Sequence, residues 1–285
     1  MAQITAALVK ELRERTGGGM MDCKRVLQEA DGDLDRAALM LRERGIAKAD
    51  KKAGRATSEG RISAHLLGDG RAGALVELNC ETDFVAKTDD FAEFGQDLAR
   101  VVCEQDPADL DSLLGLELDE GSVEERLKSA IGKLGENMAI GRFARLSTGS
   151  EGRVSSYVHA GGKIGTLVAV AAEENERPEV AELAHNVCMH VAAMAPAGLS
   201  REDLDAELVE RERGVLRKQA EGEGKPPEII EKMIQGRLNK FFKEVTLVDQ
   251  PLVMDPDRSV GAAAKAVGAG IQAFRRLQLG EEGGG

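Results

Sequence analysis

The sequence has 285 residues, 42% hydrophobic and 31% charged, a balance that suits folded domains in water and, at this length, two or three structural units. With 50 Asp and Glu against 38 Lys and Arg the net charge is −12, which repels phosphate backbones and argues against general or direct nucleic-acid binding. No apolar run approaches the roughly 18–20 residues of a membrane span, and the opening MAQITAALVKELRER is amphipathic rather than signal-like, so a cytoplasmic protein without membrane contact is expected.

Ile4, Leu8 and Leu12 recur at helical spacing and predict a first helix. Thr16-Gly17-Gly18-Gly19 must break it, because glycine is the poorest helix former short of proline. A second helix carries Val26, Leu27 and Ala30. It begins at Met20-Met21, an adjacent pair that one helix stripe cannot bury together. Either one Met is core and the other incidental, or the pair is a soft contact surface. Asp33 is placed to cap a third helix with Leu34, Ala37, Ala38 and Leu41 inward, and Gly45 is expected to stop it. Residues 1–54 thus read as a small helical module, with the Lys- and Gly-rich stretch 47–60 as a linker.

The remainder contains a repeat. Glu59-Gly60-Arg61-Ile62-Ser63 returns as Glu151-Gly152-Arg153-Val154-Ser155. At the same spacing Gly70, Gly73, Leu75, Val76 and Glu81 meet Gly162, Gly165, Leu167, Val168 and Glu173. Each copy alternates apolar and polar residues, turns at glycines, then runs apolar, which predicts a β-hairpin. A helical segment follows each, Phe91-Ala92-Glu93-Phe94 matching Val180-Ala181-Glu182-Leu183, and Pro107 matches Pro196. The first copy, 55–148, continues through a helical stretch from Val123 to Met138 to a strand at Arg142–Leu146. The second, 149–198 and 242–285, is interrupted by an insertion at 199–241. There Ser200 and Asp203 resemble a capping box. Leu204, Leu208, Val215 and Leu216 face a returning series of Ile230, Met233, Ile234, Leu238 and Phe241, across a turn at 221–227. Two helices of about 20 residues would make an arm about 30 Å long, either a contact device or a stabilising hairpin.

No catalytic constellation is present. His65, His159, His185 and His190 lie apart without a ligand spacing, and no phosphate-binding loop or nucleophile elbow occurs. Cys23, Cys80, Cys103 and Cys188 form no CxxC pair and suit a reducing compartment. No enzyme activity, metal or cofactor is expected. A second segment breaks the local rules instead: Asn79-Cys80-Glu81-Thr82-Asp83-Phe84-Val85-Ala86 leaves an apolar strand for polar sequence, yet places Phe84 at its exit. Phe84 either folds back into the core or projects as a contact.

Leu12-Arg13-Glu14-Arg15-Thr16-Gly17, Met20-Met21-Asp22-Cys23-Lys24 and Asn79-Cys80-Glu81-Thr82-Asp83-Phe84-Val85 closely resemble signatures of bacterial translation elongation factor Ts. Tyr157-Val158-His159, Met189-His190-Val191-Ala192-Ala193 and Gln250-Pro251-Leu252-Val253-Met254 resemble the same family, in order along almost the whole chain. The resemblance implies an α+β fold: an N-terminal three-helix ubiquitin-associated-like module, duplicated α/β core subdomains and an inserted helical coiled-coil hairpin. It implies a guanine-nucleotide exchange factor that binds elongation factor Tu, GDP-bound and nucleotide-free, and promotes GDP release during translation elongation. Arg13, Met20, Met21 and Lys24 would bind the partner. Thr82, Asp83, Phe84 and Val85 would enter it near its magnesium, with Phe84 as the wedge. His159 and His190 fall on positions tied to the interface or to structure, and self-association through the helical hairpin is a further contact to consider. Some members extend beyond the last core strand with another helix, where this sequence has the glycine-rich 279–285, of which disorder is expected.

Overall fold

The computed structural model describes residues 4–119, 121–222 and 226–281. In chain order its first half holds α1 (Ala6–Thr16), α2 (Met20–Glu29), α3 (Leu34–Asp50), β1 (Glu59–Leu66), β2 (Ala72–Cys80), α4 (Asp83–Ala86), α5 (Asp89–Gln105), α6 (Leu110–Leu114), α7 (Val123–Leu134) and β3 (Met138–Ser147). Then come β4 (Gly152–Val158), β5 (Ile164–Ala172), α8 (Pro178–Met194), α9 (Ala206–Glu221), α10 (Pro227–Val245), β6 (Pro251–Leu252), β7 (Asp255–Ser259), α11 (Val260–Ala266) and β8 (Ala269–Gln278). The mixture of helix and sheet is that of an α+β protein.

Local chemistry sets the first three helices. The Thr5 hydroxyl accepts from Leu8 N–H, and Gly17 ends α1 at φ 65, a left-handed conformation that glycine adopts freely. Asp33 Oδ1 accepts from the N–H groups of Asp35 and Arg36, both at 3.0 Å, and starts α3. Val9, Leu12, Cys23, Val26, Leu27, Ala30 and Ala37 form the buried cluster between them.

Gly45 does not stop α3, which runs five residues further to Asp50. Its missing side chain serves packing: a Cβ on Gly132 of α7 would stand 2.7 Å from Gly45 Cα. The α3–α7 seam depends on that close approach. A Cβ on Gly45 itself would meet nothing closer than 3.9 Å. Gly45→Ala should therefore be neutral or stabilising by up to about 1 kcal/mol through helix propensity. Gly132→Ala should destabilise, with a gap between the two of about 1–3 kcal/mol from overpacking. Melting curves decide it; equal melting temperatures would refute the seam.

The chain divides by contacts into two compact units: residues through Ser63 with Val76–Phe143, and Ala64–Leu75 with Ala144–Gln278. The expected boundary at 54 falls inside the first unit, because α3 extends along α7. The strands form sheets of equivalent order, β1-β2-β3 and β4-β5-β8, each with the second hairpin strand in the centre. In the second sheet β5 is antiparallel to both neighbours, with Val168 opposite Ser155 on one side and Phe274 on the other. The residues of this central strand are buried almost without a break, as the apolar run predicts.

Two other boundaries move. Gly135, at φ 82, closes α7 at Leu134, and β3 begins at Met138 rather than Arg142. Ser200 and Asp203 do form a capping box, but it opens one 3-10 turn, Arg201–Asp203. Asp205 caps α9. The 16-residue α9 and 19-residue α10 pack through Leu216, Ala220, Ile234 and Leu238, with Ile230 and Phe242 against them. Phe242, rather than Phe241, joins this cluster, and the Arg201 guanidinium lies 5.0 Å from its ring centre. The expected turn at 221–227 includes 223–225, which lie outside the described residues, as do residues 282–285 of the tail.

Candidate partner-binding site

The two irregular segments flagged in the sequence both lie in the first unit. Met20 and Met21 open α2 and are 59% and 69% exposed, so neither is core. Arg13 on α1 and Lys24 on α2 are exposed as well. Cys23, one turn on, is the residue that α2 buries instead.

Phe84 is the most exposed large apolar side chain among the described residues, at 79%. It sits on α4, a four-residue turn capped by Thr82, whose hydroxyl accepts from Val85 N–H at 3.4 Å. Asp83 does not point to open water alone: its Oδ2 accepts from Lys87 Nζ at 2.6 Å, one turn along. Thr82, Asp83 and Val85 are half-buried, which leaves Phe84 as the projecting tip. The next turn buries Ala86 and then Phe91 and Phe94 on α5, so the core already has its aromatics without Phe84.

The base of this turn is polar and crowded. Glu136 receives both the Thr82 N–H, at 2.9 Å, and the Thr82 hydroxyl, at 2.6 Å. Glu81 accepts from Asn137 N–H at 2.6 Å and from Arg55 at 3.3 Å; the first of these, chiefly, lowers its carboxyl pKa. Burial, then the nearby Glu136 charge, pushes the Cys80 thiol up to about 11, so it stays protonated and donates to the Thr82 carbonyl at 3.1 Å. Sequence reasoning found none of Arg55, Glu136 or Asn137, since no motif marks contacts between residues 26 to 56 positions apart.

The second unit places the histidines differently. His159 is exposed beside the β4–β5 turn, and its Nδ1 lies 3.0 Å from the Tyr157 hydroxyl. His190 is fully buried, so the direct partner contact implied for it is corrected: the side chain does not reach the surface. Its Nδ1 accepts from Val253 N–H at 3.2 Å, which leaves Nε2 to donate to Gln250 Oε1 at 2.8 Å. Gln250 donates onward to the Glu244 carbonyl at 2.7 Å. His190 therefore holds the segment that carries exposed Val253 and Met254.

Burial lowers the His190 pKa below its ordinary value. The neutral ring is the one that fits, so its contribution to stability is complete above the unfolded-state pKa of about 6.5. It is lost as pH falls from there toward the depressed folded-state value. Melting curves from pH 7.5 to 5 should decline more steeply for the native chain than for His190→Gln, by at most about 1.4 kcal/mol per pH unit. Parallel slopes would overturn the assignment.

At the positions where the repeat aligns Asp83 and Phe84, the second copy has Asn175 and Glu176. Asn175 Nδ2 donates to the carbonyls of Ser150 and Gly152, at 2.9 and 3.0 Å, and ties down its own loop. No aromatic projects there. A cleft of about 860 Å³ in the first unit, bordered by α3 and α7, carries Arg15, Arg42, Asp35 and Glu125. Those four charges pair within it, Arg15 with Asp35 at 2.6 Å and Arg42 with Glu125 at 2.7 Å. Among the described residues no group of three or more His, Cys, Asp and Glu could hold a metal ion, and no helix is long and apolar enough to cross a membrane.

Known proteins share this arrangement of sequence. The family model described as elongation factor TS matches residues 81–281. An elongation factor Ts of Alkalilimnicola ehrlichii is 48% identical over 98% of this chain and 92% of its own length. One from Methylococcus capsulatus is 46% identical over the same shares. One from Clostridioides difficile is 46% identical over 99% of this chain and 94% of its own.

Proposed function

The chain belongs to the elongation factor Ts family, a family of translation elongation and protein biosynthesis, and on that premise we propose that it is the guanine-nucleotide exchange factor of elongation factor Tu. It binds the GDP form, loosens GDP, and holds the nucleotide-free partner until GTP arrives. No covalent chemistry is required, since an exchange factor has only to bind one partner state better than another. The observation that carries the reading is Phe84, an aromatic side chain 79% exposed on a turn whose every neighbour is tied down.

The division of labour follows from energetics. Full burial of one Phe side chain contributes roughly 1.5–3 kcal/mol, or one to two decades in an equilibrium constant. That can disturb the partner's magnesium and phosphate ligands but cannot also hold the complex. Met20 and Met21, with Arg13 and Lys24 around them, supply the holding contact on the ubiquitin-associated-like helices, and His159 supplies a second on the other copy of the duplicated α/β core. Coupling is reciprocal: whatever factor the wedge takes from GDP affinity, GDP takes from affinity for the wedge. The α9–α10 coiled-coil hairpin, with Val215 and Ile229 exposed, is the place for self-association. The cytoplasm is where such a factor acts.

Fluorescent GDP preloaded on elongation factor Tu tests the proposal. Release should accelerate in proportion to added chain until it saturates. Binding without acceleration would make this an adaptor and remove the exchange reading.

A further inference from the structure

Thr82 is the residue from which the Phe84 turn hangs, and each of its polar groups is engaged. Its N–H and its hydroxyl both donate to the one carboxylate of Glu136. Its hydroxyl oxygen accepts from Val85 N–H. Its carbonyl accepts from the Cys80 thiol at 3.1 Å and from Ala86 N–H at 3.3 Å. A hydroxyl has a single proton. It is donated in the hydrogen bond to Glu136, and this leaves the oxygen's lone pairs for the start of the helix. An ionised carboxylate suits the place because it only accepts, and such charge-assisted bonds are the strong ones. The turn itself is four residues long, too short to keep a helical shape unaided in water.

Glu136 is itself located from several sides. Gly135 ends α7 in the left-handed region, and its carbonyl accepts from Lys52 Nζ at 2.5 Å. Asn137 N–H donates to Glu81, and Asn137 Nδ2 donates to the Arg55 carbonyl at 2.7 Å. Residues 135–137 therefore join the end of α7, the segment after α3 and the end of β2 at one point.

We infer that Glu136 is the positioning residue of the exchange turn: its carboxylate, gripping Thr82 by two bonds, fixes the direction in which Phe84 projects. The inference rests on the exchange reading of Phe84. Glu136 acts through Thr82 and touches neither nucleotide nor metal in this role.

The test is stopped-flow release of fluorescent GDP from elongation factor Tu over a range of factor concentrations. Glu136→Ala should lower the limiting rate on the order of tenfold, the effect of losing a charge-assisted bond that orients the wedge. The half-saturating concentration should move far less, because Met20 and Met21 are untouched. Thr82→Val removes the hydroxyl from the other side of the same bond and should give the same split, which decides the matter if Glu136→Ala folds poorly. The double variant Phe84→Ala/Glu136→Ala should be no slower than Phe84→Ala alone, since nothing is left to position. A slow Phe84→Ala beside Glu136→Ala and Thr82→Val at the native rate overturns the inference alone, as does a double variant whose loss is the product of the singles. A native rate for Phe84→Ala overturns the exchange reading and the inference with it.

Discussion

Phe84→Ala is expected to cut the limiting rate of GDP release by about one to two decades, with its melting temperature nearly unchanged. The magnitude follows from the roughly 1.5–3 kcal/mol that burying a Phe side chain contributes when it enters the partner. The unchanged melting follows from exposure: at 79% the ring makes almost no contribution to the folded chain's own core. The two readouts separate the wedge from the alternative the sequence left open. A core residue would lower the melting temperature by several degrees and leave the chemistry of exchange to recover wherever the variant folds. Normal release by a well-folded Phe84→Ala removes the wedge.

The opposite split is expected of the methionine pair. In Met20→Ser/Met21→Ser two side chains lose their burial against the partner, so the half-saturating concentration should rise on the order of a hundredfold or more. The limiting rate at saturation should be preserved, because the exchange turn still presents Phe84. Folding should survive, since α2 buries Cys23, Val26 and Leu27 and leaves both methionines outside. A fall in the limiting rate without a change in half-saturation would reverse the roles assigned to the two segments. Titration calorimetry against nucleotide-free partner gives an independent check on the affinity loss.

The two hairpins, the break after α1 and the start of α3 could be read directly, because each is a local pattern of glycines, caps and alternating apolar residues. Thr5, Asp33 and Gly17 punctuate the first helices by side-chain chemistry that needs no distant partner. What stayed hidden is whatever depends on residues far apart. Gly45 has the look of a stop, but in the folded chain it is half of a contact with Gly132. Glu136 is one acidic residue among 50, and only the fold brings it to Thr82. His190 looked like a candidate interface residue by resemblance; burial makes it a strut behind Val253 and Met254. At Met20, Met21 and Phe84 the sequence posed the right question, since an apolar residue off the stripe is either a packing exception or a contact. Exposure removes the core alternative at all three.

The four thiols have a practical consequence. Cys23, Cys80, Cys103 and Cys188 are all buried, and none is in a disulfide. Burial is the main cause that raises Cys23 and lifts Cys80 to about 11 and Cys188 to about 12. At neutral pH a thiol of pKa near 11 is thiolate only about one part in ten thousand, and the thiolate is the species that attacks. Alkylating reagents and mild oxidants should thus react slowly with Cys80 and Cys188. A cysteine placed on an exposed position such as Glu93 or Glu210 would outcompete all four native ones for a maleimide dye. Either unit can then be labelled singly in an otherwise native chain, with Cys80 left in place to hold the Thr82 carbonyl.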